Sequence, residues 1–460
     1  MKFTVSNVIR IDEPTEEVMD WAHKNLVVPN PTYQKKQKMG LWLGKTPENL
    51  CLYSQYWHEL VVPFGCLNYL WKTYRTQGEF KPLFPQLRRV VYGSSISLRE
   101  YQEEAVQAAL KARNGVIVMP CGSGKTQTAL ELIARIGGRA LWIAHTADLI
   151  KQSEERAKAN FDLPDSEYGH VTEGKIQLGA ITFATIQTLC KVNLDDMARY
   201  FDVIVVDEAH HCVGSDTNLT MYQTVLSRLC ARYKYGVTAT PTRQDGLTPC
   251  MYALLGDEII NVPRAVVAEY TVPITVCWHN TGWQPNKELI VASDGTLVWS
   301  KLVQQITSDE IRNTLICEQI RQCHGSTLVL SERVEHLRLL YDLCKDKLRC
   351  VHVTAAATKR GKEVRATALK RLNDGELDVV FATYQLAKEG LDCPNLRNVV
   401  MASPIKEPKS VEQAVGRVQR KASGKEFGVV VDFVDDFGLL YGYVKKRKSI
   451  YKKLENCGNR

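Results

Sequence analysis

The amino-acid sequence predicts an α/β protein of two tandem lobes, each a doubly wound parallel sheet, with a small α+β domain in front. Three observations predict it. From residue 115 onward, short apolar runs alternate with longer segments of helical spacing, the pattern of strands joined by crossover helices. The runs fall into two sets, at 115–119, 140–144, 180–183, 203–206 and 235–238, and at 327–330, 351–354, 379–382, 399–402 and 429–433. Between the sets, residues 262–325 lose the alternation and carry the turn signals Asn280-Thr281-Gly282 and Asp294-Gly295, so the hinge is placed there.

Residues 1–90 read differently again. Trp21, Tyr33, Trp42, Tyr53, Tyr56 and Trp57 are interspersed with Lys35, Lys36, Lys38 and Lys45. The expected division is therefore an accessory domain at 1–90, a first lobe at 91–262, a second lobe at 263–440 and a basic tail at 441–460. No fixed-period repeat or low-complexity tract is visible, which sets solenoids aside.

Composition removes several classes. With 45% hydrophobic and 24% charged residues, the chain has the make-up of a globular protein able to bury large cores. No apolar run is long enough to span a membrane, and residues 1–10 lack the apolar centre of a signal peptide, so a cytoplasmic protein without a membrane partner is expected. The fourteen cysteines are scattered singly with no CxxC pair, which fits free thiols in a reducing compartment. His210-His211-Cys212 is not read as a zinc site, because adjacent ligands rarely converge on one ion and no second pair follows. Net charge is +8, and the last twenty residues hold Lys445, Lys446, Arg447, Lys448, Lys452, Lys453 and Arg460 against Glu455 alone. That end is either phosphate-attracting or a solvated helix face.

The chemistry begins at Met119-Pro120-Cys121-Gly122-Ser123-Gly124-Lys125-Thr126, after an apolar run and before a helical segment. In that context it is a phosphate-binding loop. Backbone amides over Cys121, Gly122, Ser123 and Gly124, with the helix N-terminus behind them, bind the anion. Lys125 reaches the β- and γ-phosphates and Thr126 holds magnesium. Met119 stands where the longer GxxxxGK[ST] pattern has glycine, so the match is to the shorter GxGKT form. The second apolar run, 203–206, leads into Asp207-Glu208-Ala209-His210. An acid directly after such a strand holds the metal, and a second carboxylate beside it orients and deprotonates the attacking water. Asp207 and Glu208 take those roles.

This loop, the Asp-Glu-Ala-His tetrad and Thr238-Ala239-Thr240-Pro241 together resemble motifs I, II and III of superfamily-two helicases. Further matches follow in order from residue 98 to 420. Leu98-Arg99-Glu100-Tyr101-Gln102 resembles the adenine-reading Q motif, which implies base contacts from Gln102 and Arg99. Segments 144–152 and 185–188 resemble strand-contacting motifs, 382–392 resembles motif V and 413–420 resembles motif VI. The resemblance implies RecA-like lobes that hydrolyse ATP with Mg2+ at a shared cleft. It gives Gly390 and Asp392 a nucleotide-side role, and it makes Arg417 and Arg420 the cations that reach the γ-phosphate when the cleft closes. Thr146, Thr185, Thr188 and Thr383 become candidates for contacts to a nucleic-acid backbone; a capping or buried role is the competing reading.

The segment Thr240-Pro241-Thr242-Arg243-Gln244-Asp245-Gly246-Leu247 resembles the TATPxRxDGL stretch of repair helicases of the xeroderma pigmentosum B type and phage recombination helicases of the UvsW type. Pro29-Asn30-Pro31, followed by residues 35–43 and Thr46-Pro47, looks like the leader domain of small phage DNA helicases. The resemblance implies DNA, branched or duplex, as partner; the sequence leaves the oligomeric state open, with a monomer favoured. A restriction-system motor, an RNA helicase and a non-hydrolysing scaffold are the alternatives. Within residues 1–90, the lysines are the expected phosphate contacts. Tyr33, Trp42, Tyr56 and Trp57 either stack on bases or fill the small domain's core, and for the tryptophans the core is the better reading.

Overall fold

The computed structural model describes the chain except residues 173, 214–215, 242–244, 293–295, 354–358, 386–392, 406 and 456–460, and it leaves the side chains of 216–218, 359–360, 362 and 409 undescribed. Two compact units result: Met1–Pro120 with Gly124–Pro263, and Arg264–Arg460 with Cys121–Ser123.

The first unit opens with strands β1 (Lys2–Val5), β2 (Val8–Asp12), β3 (Val27–Pro29), β4 (Asn49–Cys51), β5 (Ser54–Tyr56), β6 (Glu59–Pro63) and β7 (Glu79–Pro82). Five of them form a mixed sheet in the order β5-β6-β2-β1-β7, and β3 pairs with β4 apart from it. Period-two burial, seen in the residues of β2, turns Ile9 and Ile11 inward and leaves Arg10 and Asp12 in solvent. Phe3, Leu60, Val62 and Phe64 complete that inner face.

The remaining strands of the unit are β8 (Asn114–Val118), β9 (Ala140–Ala144), β10 (Tyr168–Thr172), β11 (Lys175–Gln177), β12 (Ile181–Thr185), β13 (Val203–Asp207), β14 (Tyr233–Thr238) and β15 (Glu258–Asn261). They form one sheet in the order β11-β10-β12-β9-β13-β14-β8-β15, parallel except for the β10–β11 pair. Every residue of β8, β9 and β13 is buried, so these strands are covered on both faces, and that is why they read as continuous apolar runs. The inner face of the small sheet merges into the same apolar cluster as this lobe: Phe3, Ile11 and Leu60 join Leu141, Val206 and Leu255. Residues 83–99 follow as an extended strap, anchored by Tyr92, whose buried hydroxyl lies 2.8 Å from the carbonyls of both Gly138 and Ala180.

The second unit carries β16 (Ile274–Asn280), β17 (Thr327–Ser331), β18 (Cys350–His352), β19 (Val379–Thr383), β20 (Asn398–Met401) and β21 (Gly428–Val434) in a parallel sheet of order β16-β21-β20-β17-β19-β18. Two buried ion pairs fasten it. Arg312 reaches Asp435 at 2.7 Å, and Arg447 reaches Asp432 at 2.7 Å with the Tyr451 hydroxyl on the same carboxylate. The helix Gly438–Glu455 therefore packs on the sheet through Val444, Arg447, Ile450, Tyr451 and Leu454, while Lys445, Lys446, Lys448, Lys452 and Lys453 face solvent. Of the basic residues at the end of the chain, Arg447 belongs to the core; Arg460 lies outside the described residues.

The core reading of the tryptophans fails for two of them. Trp42 is 89% and Trp57 96% exposed. The sheet is closed by aliphatic side chains and Phe3, while Trp42 sits on a loop and Trp57 on a hairpin turn, where no second layer covers them. Trp21 is half-buried against Tyr69, ring centroids 4.8 Å apart.

Candidate ATP site

In a parallel sheet the ligand crevice lies beyond the carboxyl ends of the strands. Strand β8 ends at Val118, and the chain turns through Gly122 and Gly124, both at φ +81, into the helix Lys125–Ile136. Only glycine adopts that left-handed backbone without strain, so these two residues shape the loop and leave its amides free of side-chain cover. A Cβ on Gly124 would lie 2.4 Å from Gln102 Nε2, so Gln102, only 2% exposed, packs against the loop. Its Oε1 accepts the Arg99 backbone N–H at 2.9 Å at the start of the helix Glu100–Ala112, and the Arg99 guanidinium bonds the Tyr101 hydroxyl at 2.9 Å.

Strand β13 delivers Asp207 and Glu208 to the same edge. Asp207 is 5% exposed, and Lys125 Nζ stands 3.9 Å from Glu208 Oε1. Burial, and then the neighbouring Glu208 charge, raise Asp207 above the usual carboxylate range, against the opposing pull of Lys125 and Arg156. Glu208 has φ +47, an uncommon backbone for a non-glycine residue and of the kind that clusters at active sites. Its N–H donates to Asp207 Oδ1 at 2.9 Å. His210 Nδ1 lies 2.9 Å from the Thr238 hydroxyl and 3.4 Å from Glu208 Oε2, which joins the tetrad to the end of β14. The His145 and His211 rings stack with centroids 3.6 Å apart, linking the end of β9 to the turn after β13.

Arg156 is the residue that the motifs did not supply. It lies thirty positions beyond Thr126 on the helix Ala147–Asn160, yet its guanidinium donates to Thr126 Oγ1 at 3.1 Å. No spacing rule pointed to it.

The donor set fits magnesium. Thr126 and Asp207 offer hard oxygen ligands, and Asp207 is a buried carboxylate whose charge lacks full compensation, as an added cation would provide. Among the described residues no group of three or more His, Cys, Asp or Glu side chains is placed to hold a metal. Mg2+ is usually held by one or two carboxylates together with substrate phosphates and water. Thr126 and Asp207 would hold the ion, which would supply positive charge against the charge developing on the phosphates.

Thr146, Thr185 and Thr188 carry local duties. Thr146 Oγ1 accepts the Leu149 N–H at 3.4 Å as a helix cap, and Thr185 Oγ1 accepts the Thr188 N–H at 3.3 Å with the two hydroxyls 2.9 Å apart. Thr383 is 9% exposed at the end of β19. Arg417 lies on the helix Pro408–Val418, and Arg420 just beyond it forms an antiparallel bridge with Thr271; both are half-buried. Gly390, Asp392 and Arg243 lie outside the described residues.

Comparison with known proteins agrees with this arrangement. Residues 95–243 match the family model described as the res subunit of type III restriction enzymes, and residues 311–422 match the helicase conserved C-terminal domain. The chain carries the two conserved domains of a superfamily-two helicase and is similar to the xeroderma pigmentosum B-like type. An ATP-dependent RNA helicase, by its description, of Acanthamoeba polyphaga mimivirus is 26% identical over 78% of this chain and 68% of its own. The DNA 3'-5' translocase XPB2 of Sulfurisphaera tokodaii is 26% identical over 71% of this chain and 79% of its own. In fold, the DNA-bound type ISP restriction-modification enzyme LlaBIII superimposes with a TM-score of 0.57 at 14% identity, over 79% of this chain and 30% of that one. The helicase is thus an ATP-hydrolysing enzyme with RecA-like lobes. No described helix is long and apolar enough to cross a membrane.

Proposed function

We propose that this helicase couples ATP hydrolysis, with Mg2+ as cofactor, to translocation on DNA, and that branched or duplex DNA is its track. The observation that carries the reading is the convergence of Lys125, Asp207 and Glu208 at the carboxyl edge of one sheet, with Lys125 and Glu208 3.9 Å apart. Lys125 binds the β- and γ-phosphates, Asp207 and Thr126 hold the metal, and Glu208 takes the proton of the attacking water. Gln102, packed on the loop, orients the base together with Arg99. Arg417 and Arg420 supply transition-state charge, a role assigned on the likeness of residues 413–420 to motif VI. Thr146, Thr185, Thr188 and Thr383 contact the track through backbone phosphates, and the two capping hydroxyls retain acceptor capacity for this. The TATPxRxDGL segment and the archaeal translocase favour DNA, and the protein works as a cytoplasmic monomer.

ATPase rates measured side by side with single-stranded, duplex, forked and four-way DNA and with RNA test the reading. The largest stimulation is expected from duplex or branched DNA. Stimulation by RNA alone would support the function described for the mimiviral relative instead. DNA cleavage dependent on ATP would point to a restriction motor.

A further inference from the structure

Residues 30–48 form a closed loop that the ATP-driven motor does not use. Asn30, with no exposed surface, clamps its two ends. The Asn30 backbone N–H donates to Glu48 O at 2.9 Å, the Asn30 Nδ2 donates to Pro47 O at 2.9 Å, and the Oδ1 accepts the Thr32 N–H at 2.9 Å, capping the helix Pro31–Lys38. Lys36 Nζ ties the return leg through the Thr46 hydroxyl at 2.7 Å. Inside this clamp the chain presents Met39 at 60%, Leu41 at 52% and Trp42 at 89% exposure. The indole is almost wholly open to solvent, and a Cβ added at Gly44 would come within 3.0 Å of its six-membered ring, with Gly44 itself at φ +54. The same segment carries Lys35, Lys38 and Lys45, all exposed, and the only acid in the sequence between Pro29 and Leu50 is Glu48.

We propose that residues 39–45 are a base-stacking wedge: Trp42 takes an unpaired base where DNA branches, and Lys35, Lys38 and Lys45 hold the flanking phosphates. The proposal rests on DNA being the track, and it adds the element that distinguishes a branch from plain duplex. An exposed indole offers its π-face to a base and every base offers one in return, so the contact is independent of sequence. The lysines supply the salt-dependent part. Trp57 is more exposed still, but it lies on a turn flanked by Asp12, Glu13 and Glu59, with the Glu13 N–H on His58 O, and that acidic surround disfavours phosphate.

The test uses the full chain and a forked DNA with 2-aminopurine at the first unpaired position. Trp42→Ala is expected to bind the fork about 5- to 150-fold more weakly, to leave blunt-duplex affinity within about twofold, and to abolish the quenching of 2-aminopurine that the wild type gives. Trp42→Phe restores most of the fork affinity. Gly44→Ala, which displaces the ring without removing it, falls between. Neutralising Lys35, Lys38 and Lys45 together lowers the salt slope on fork and duplex alike by about 2 to 3. Equal fork binding by Trp42→Ala and the wild type overturns the proposal, as does equal loss on fork and duplex. Trp42-dependent pelleting with phosphatidylserine vesicles and not with forked DNA assigns the loop to a membrane surface and overturns it too. A wild type whose ATPase responds to RNA and to no DNA overturns the DNA reading itself, a failure seen before any variant is made.

Discussion

Glu208→Gln separates two jobs of one carboxylate. Lys125 lies 3.9 Å from Glu208, and the two side chains are 12% and 18% exposed. Binding of ATP draws Lys125 towards phosphate, so the pair's attraction opposes nucleotide binding. Pairs near a surface are worth up to about 1 kcal/mol, or about fivefold in affinity at 1.36 kcal/mol per tenfold. The amide removes that competition and also removes the base. General-base catalysis contributes about 10² to 10⁴ in rate, roughly 2.7 to 5.4 kcal/mol. The expected variant binds ATP as tightly as the wild type or up to about fivefold tighter, and it turns over at least 10²-fold more slowly with saturating DNA. Fluorescent-nucleotide titration and single-turnover hydrolysis measure the two separately. Near wild-type turnover refutes the assignment of the base, and weaker ATP binding refutes the competition.

Lys125→Ala is expected to lose both turnover and ATP affinity, the opposite binding result from Glu208→Gln, in the same pair of assays. Arg420→Ala is expected to slow hydrolysis by about 10³-fold or more while keeping nucleotide-free DNA affinity within a few-fold; equal loss of both in an anisotropy titration marks it as a track-binding residue. Arg447→Ala leaves Asp432, 1% exposed, without its guanidinium, and the expected cost is about 3 to 5 kcal/mol in chemical denaturation of the second lobe, whereas Lys446→Ala on the solvent face of the same helix changes stability by less than about 0.5 kcal/mol. His336 is buried, its Nδ1 2.9 Å from the Ser331 hydroxyl and its Nε2 2.9 Å from Asn313 Oδ1, and burial, with Arg312 nearby, holds its pKa down to about 3. The unfolded chain takes up a proton near pH 6.5 and the folded chain does not, so stability is full above about 6.5 and falls towards pH 3, by about 2 kcal/mol at pH 5. Denaturation midpoints of the wild type and His336→Gln at pH 7.5 and pH 5 check this; an unchanged difference between the two pH values in the variant sinks it.

The central strands were legible because parallel strands covered on both faces are apolar without interruption: residues 140–144 and 203–206 coincide with β9 and with most of β13. The edges were not. Strand β16 reads Ile274-Thr275-Val276-Cys277-Trp278-His279-Asn280, one half-polar side facing away from the sheet's core, and it fell in the stretch assigned to a hinge. Strand β15 has two exposed polar ends and shifts register against β8, so no period marks it. The candidate ATP site drew Lys125, Thr126, Asp207 and Glu208 from the sequence alone because a strand end followed at once by a polar or charged residue is a local pattern. Arg156 was not legible, since it reaches Thr126 across a helix-to-helix packing that only the fold creates. Trp42 and Trp57 went astray because hydrophobicity alone ranks an indole as core; the backbone around Gly44 and the hairpin turn overrode that ranking.

The merger of the small N-terminal sheet with the first lobe, made by the shared apolar cluster, is reinforced by one residue that no motif marks. Lys234 lies in β14 with no exposed surface, and burial lowers its pKa to about 7. Its ammonium donates to Asn7 O at 3.1 Å and Leu226 O at 2.9 Å and stands 4.7 Å from the centre of the Phe64 ring. Two of those three partners come from residues 1–90. Removing these residues would leave a buried ammonium with one acceptor and strip the cover from the shared apolar cluster, so a truncation beginning near residue 91 tests stability before it tests substrate choice. Four residues further along the same strand, about 13 Å at the rise of an extended chain, Thr238 meets His210. The small sheet and the Asp-Glu-Ala-His tetrad are therefore held by opposite ends of one strand, and for that reason the substitutions that probe residues 1–90 belong on its exposed loop and in the intact chain.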